Sequence, residues 1–205
     1  MTMKVTDEVL GRFARQQHDL FERVRKGALD PEKVYQAVKP LLKQGRRVKT
    51  PTPILRLLTP DLIIPATDGT ENLSDAVVFP GYVDPDLKRW GCNVVSKAKP
   101  ETPVAVHDLC DNGTFQQIFG GQGVDLDQLC LTPHQIKQFV RTYPEHLHPE
   151  GYATFFLFKV AGKFFVAGIY WRAACRLEVR VRRLSHDDVW YADGRYRVVL
   201  PQLAL

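Results

Sequence analysis

The chain has 205 residues, 44% hydrophobic and 25% charged, with 28 Lys+Arg against 23 Asp+Glu for a net charge of +5. These proportions belong to a globular chain, either one domain with an appendage or two small domains. They exclude a disordered, collagen-like or wholly coiled-coil protein. The basic balance bears on partners rather than on fold.

The first twenty residues hold no apolar run of about 7 to 15 residues such as a signal peptide needs, and no segment approaches the roughly 18 apolar residues of a membrane span. The expectation is a soluble, cytoplasmic protein with no membrane contact. Four cysteines, Cys92, Cys110, Cys130 and Cys175, are too few for a disulfide framework and form no CxxC pair, so they are expected as thiols.

In chain order, Val9, Leu10, Phe13, Leu20, Phe21 and Val24 recur at helical spacing, and Gly27 supplies the stop. Asp30 and Pro31 then read as N-cap and first residue of a second helix with a stripe of Val34, Ala37, Val38, Leu41 and Leu42, which Pro40 should bend or shorten. Residues 1–45 are thus predicted as a helical hairpin, whose stripes need a covering surface. A homodimer or protein partner through residues 9–42 would supply it. Residues 46–103 are proline-punctuated and predict a connector with short strands and one helical turn at 84–90.

Residues 104–205 read as an α+β domain. PVAVHDL fits a strand or a short helix. Thr114 caps a turn of helix, and Thr132, Pro133 and Gln135 form a capping box with proline in the first turn. Beyond Gly151 the period changes to that of strands: YATFFLFK, a tight AGK turn, FFVAGIYW, and then alternation from Cys175 to Arg182. A last strand is expected in RYRVVL. The fold class is α+β: a helical hairpin, a Pro-rich middle, and a helix followed by a four- to five-stranded antiparallel meander with one wet face.

Charge is unevenly placed, at +6 in residues 1–50, −6 in 51–151 and +5 in 152–205. Arg172, Arg176, Arg180, Arg182, Arg183, Arg195 and Arg197 are expected on the wet face and rim of the sheet, interleaved with Trp190 and several tyrosines. Guanidinium forks beside aromatic rings suit phosphate contact and base stacking, so the expected function is a non-catalytic intracellular binding protein that uses this face for RNA or DNA or for another macromolecule. The competing one is an ordinary solvated sheet face.

Two further constellations carry chemistry. Helices before a sheet bearing Glu178, arginines and His186 resemble, in outline, small metal-independent ribonucleases and ribosome-dependent toxins. That resemblance implies Glu178 as base and His186 as acid beside phosphate-binding arginines. His107, Cys110, Cys130 and His134 form close pairs separated by a loop, as in structural zinc sites. No Walker loop, GxGxxG, GxSxG or HExxH is present, and no cofactor is expected.

Overall fold

The aromatic run of β4 (Ala153–Val160) lies at the centre of a seven-stranded sheet, in the order β1 (Leu55–Ile64), β3 (Thr102–Leu109), β7 (Arg197–Pro201), β4, β5 (Lys163–Arg172), β6 (Arg176–Arg183) and β2 (Tyr82–Val83). The computed structural model describes residues 16, 19–44, 53–148, 151–172 and 176–202, with backbone only at 38 and 40–44. It divides into two units, residues 1–50 and 51–205.

In the first unit, residues 19–25 are helical (α1) and Gly27 adopts φ 73° beyond them. Asp30 accepts from the Glu32 amide at 2.9 Å at the start of α2 (Pro31–Gln44). The helix runs past Pro40, which does not end it. Phe21 and Tyr35 are exposed. Residues 9–15 of the expected first stripe lie outside the described residues.

The second unit contains β1 (Leu55–Ile64), β2 (Tyr82–Val83), α3 (Asp86–Arg89), β3 (Thr102–Leu109), α4 (Phe115–Gly120) and α5 (Pro133–Thr142). The strands β4, β5 (Lys163–Arg172), β6 (Arg176–Arg183) and β7 (Arg197–Pro201) follow. Both helix caps are capping boxes. Thr114 and Gln117 exchange bonds at α4, and Thr132 and Gln135 do so at α5. The β4–β5 hairpin turns on Ala161 and Gly162, both at positive φ (48° and 77°), the primed turn that matches strand twist. Cys175, the expected start of β6, lies outside the described residues.

The expected antiparallel meander exists only as β4-β5-β6. The sheet as a whole is mixed, because β7 lies parallel to β4 and β2 parallel to β6. The chain crosses from β6 over one face, burying Leu184 and packing Trp190 and Tyr196, before β7 inserts between β3 and β4. The region expected to be irregular supplies β1, whose ladder with β3 shifts register on either side of Thr59 and whose Asp61 has φ 59°. PVAVHDL is extended, as β3.

Nor is one sheet face wet. On one side Phe156, Phe158, Phe165, Ala167, Val179 and Val199 pack with α5 and Leu87 of α3. On the other, Phe155, Leu157, Val166 and Val198 pack with Phe115, Ile118 and Phe119 of α4 and with Leu129. β4 is therefore buried on both faces, which is why it reads as a continuous apolar run and not as an alternation. Open surface remains toward the β6–β2 margin. No helix among the described residues is long and apolar enough to cross a membrane.

Candidate functional site

The open margin carries a compact arginine–tyrosine patch. Strand register sets Glu178 between two tyrosines, Tyr170 on β5 and Tyr82 on β2, so that one row across three strands reads Tyr-Glu-Tyr. The adjoining rows bring Arg172 opposite Arg176 and Gly168 opposite Arg180. Alternation puts all of these on the same sheet face. The missing side chain at Gly168 leaves room for the Tyr170 and Phe155 rings, which lie 3.2 and 3.5 Å from where a Cβ would stand, and the Arg180 guanidinium lies 5.1 Å from the Tyr170 ring centre and 5.6 Å from that of Tyr82. Arg172 lies 5.2 Å from the Tyr170 ring centre. Such contacts hold guanidinium planes against rings while their edges stay available to an anion.

Glu178 ties the patch together through one oxygen. Its Oε2 accepts from Arg180 at 3.2 Å and faces Arg172 Nε at 3.5 Å. Arg172 and Arg176 are exposed, and the Arg180 side chain is 39% exposed. Burial pushes the Tyr170 phenol above its ordinary pKa, with Arg180 pulling the other way, so Tyr170 is a neutral ring at physiological pH.

The other expected binding residues are spread elsewhere. Arg182 turns to the edge, where it meets Asp84 Oδ2 at 3.4 Å and donates to the Val181 carbonyl at 2.8 Å. Arg183 belongs to the opposite face, 5.2 Å from the Trp90 ring centre. Arg195 is exposed in a left-handed turn residue before β7. Arg197, three strands from β6, donates to the Leu147 carbonyl at 2.9 Å. Trp190 packs edge to face with Phe155 at 4.7 Å and Tyr196 at 5.1 Å, and against Phe115 at 5.0 Å. It is a core ring.

Glu178 and His186 do not share a site. Glu178 lies within the patch, about 17 Å of strand before the end of β6. His186 lies beyond that end, in a groove of about 670 Å³ lined with Asp86, Trp90, Arg182, Arg183 and Ser185. The four residues expected as zinc ligands also separate. His107 projects on the sheet face opposite to α5, which carries His134. The Cys130 thiol donates to the Leu126 carbonyl at 3.3 Å, and Cys110 follows β3 with its thiol toward the Asp108 carbonyl. Among the described residues no group of three or more His, Cys, Asp or Glu could hold a metal ion.

A second polar cluster went unread in the sequence. Lys137, 1% exposed, pairs with Glu71 and with Asp75 at 2.6 Å, and Arg141 grips both Glu71 oxygens at 2.8 Å. Hydrogen bonds from Arg141 and Lys137 hold the Glu71 carboxyl at about 2, below its ordinary value. His134 Nδ1 accepts from the Gly69 amide at 3.1 Å, which leaves Nε2–H to face Glu71 Oε1 at 3.3 Å. These residues fasten the 67–75 segment to α5. Their signal was the spacing of His134, Lys137 and Arg141, which places three basic side chains on one helix face.

Within residues 51–205 the acidic segment spends much of its charge locally. Glu71 and Asp75 meet Lys137 and Arg141, Asp84 meets Arg182, and Asp127 meets Lys159. Arg172, Arg176 and Arg180 are left against Glu178 alone among the described ion pairs. A scan of protein-family models, a search of curated proteins and a search of solved structures each found no match.

Proposed function

We propose that the protein is a non-catalytic nucleic-acid-binding protein that holds single-stranded RNA or DNA on the β5–β6–β2 face. Phosphates would meet Arg172, Arg176 and Arg180, and bases would stack at Tyr82 and on the guanidinium planes. One observation carries the reading: Arg180 is placed against two tyrosine rings, one of which, Tyr82, is 42% exposed. Single strands suit such a surface because every base offers a π-face and every nucleotide a phosphate. The separation of Glu178 from His186 favours binding over the ribonuclease alternative.

The test is fluorescence anisotropy with a labelled single strand of about 12 nucleotides, titrated between about 50 and 200 mM salt. Affinity should fall steeply with salt, with a log–log slope of about −2 for three contacts. Replacing Arg172, Arg176 and Arg180 together by Ala should weaken binding at least about tenfold and flatten that slope. Absence of binding at the lowest salt, or binding that ignores both salt and the triple substitution, would overturn the proposal.

A further inference from the structure

Glu178 is an odd residue to find at the middle of a phosphate-binding patch, since its charge opposes every phosphate that approaches. Its geometry gives it a separate task. The hydrogen bond from Arg180 and the closest approach of Arg172 both fall on Oε2, and among the described residues Oε1 accepts no hydrogen bond. The side chain is 17% exposed, so this acceptor remains in reach of a ligand. It lies in register between Tyr170 and Tyr82, where a base stacked at Tyr82 would present its edge.

Building on the proposed nucleic-acid binding, we infer that Glu178 is a specificity-determining residue that makes the patch prefer guanine. An ionised carboxylate only accepts hydrogen bonds. Guanine alone among the common bases presents two neighbouring donors, its ring N1–H and its 2-amino group, on its Watson–Crick edge. Cytosine and adenine set a lone pair beside their amino group, and uracil and thymine flank a single N–H with two carbonyls. Each of those edges turns an acceptor toward Glu178, at a cost in binding. The flanking arginines complete the match, because a guanidinium donates to O6 and N7 of guanine and to no donor group. Oε2 keeps Arg172 and Arg180 positioned while Oε1 reads the base.

The experiment compares an all-thymidine single strand of about nine nucleotides with the same strand carrying one central guanine, or hypoxanthine in its place, which lacks the 2-amino group. The wild-type chain should bind the guanine strand about tenfold tighter than the thymidine strand, with an intermediate affinity for hypoxanthine. Glu178→Ala should remove the preference and Glu178→Gln should shrink it, read as the ratio of guanine-strand to thymidine-strand affinity, whatever the change in thymidine binding when the carboxylate that positions Arg172 and Arg180 is altered. Equal wild-type affinity for all three strands, or a preference that survives Glu178→Ala, overturns the inference and leaves the binding proposal standing. Equal proportional losses of guanine-strand and thymidine-strand affinity in Glu178→Gln also overturn it, because the residue then serves only to hold the arginines. If no strand binds the wild-type chain, the binding proposal itself falls, and the inference with it.

Discussion

The hydroxyl of Tyr143 donates to the Ile63 carbonyl at 2.8 Å and accepts from the Ile63 amide at 3.2 Å. Ile63 pairs in register with Pro103, which has no N–H to offer, and a side chain from the end of α5 therefore stands in for a further strand. At the opposite margin Asp84 acts in a similar way. Its Oδ2 accepts from the Val181 amide at 3.2 Å, and its Oδ1 from the Asp86 amide at 3.0 Å ahead of α3. One position at each margin of the sheet, Ile63 on β1 and Val181 on β6, is thus capped by a side chain, which withdraws those backbone groups from pairing with another chain.

Tyr143→Phe should cost about 1 kcal/mol of unfolding free energy by orphaning two backbone groups. Asp84→Ala, which frees two amides and Arg182, should cost about 2 kcal/mol. Urea denaturation reads both changes. The accompanying expectation is faster aggregation on mild heating, measured by light scattering. Variants that unfold and aggregate like the wild type would show that the edges are protected by other means.

Acid should weaken the fold through Glu71. Its folded pKa of about 2 lies below the ordinary carboxyl value of 4.5, because Arg141 and Lys137 bond the ionised form. The stability it contributes is therefore complete above about pH 4.5 and is lost as pH falls toward 2. With partial solvent screening the contribution is on the order of 1 kcal/mol. Lys137 also lowers the Asp75 carboxyl, which acts in the same sense. Glu71→Gln should flatten the acid limb of a stability-against-pH profile, and a variant profile parallel to the wild type would contradict this assignment. Lys137→Met should cost about 2 kcal/mol at neutral pH by leaving Asp75 without its cation.

Tyr82 tests stacking apart from charge. Tyr82→Ala should lower single-strand affinity about tenfold with an unchanged salt slope, while Tyr82→Phe keeps most of the affinity. A changed slope with Tyr82→Ala would mean that the ring acts by placing Arg180 and not as a platform.

The buried Cys92 and half-buried Cys130 thiols should be inert in the folded chain. Burial pushes the Cys92 thiol up to about 11 and the Cys130 thiol up to about 12, and Cys92 is fully enclosed. At about pH 8 neither should react with a thiol reagent until denaturant is added, as mass spectrometry of labelled peptides can follow. Rapid native labelling of Cys92 would show that its surroundings open readily.

What the sequence by itself determined were the features closed within a few residues. The cap at Thr114, the capping box at Thr132, the Ala161–Gly162 turn and the alternation along β6 are legible because donor, acceptor and backbone angle all belong to one short segment. β1 is legible only as short extended pieces, because Pro60, the register shifts and the positive φ of Asp61 interrupt it, and only β3 shows them to be one strand of the sheet. The tertiary structure alone decided that β7 inserts beside β4, that helices cover both faces of β4, and that seven expected arginines resolve into a patch of three. Those outcomes depend on partners far apart in the chain, such as Asp84 and Val181, 97 positions apart. Tyr82 entered the site by the same route, since only the parallel pairing of β2 with β6 sets it beside Glu178. The net charge of +5 names a sign; which arginines remain open to a ligand depends on where the folded chain brings the carboxylates.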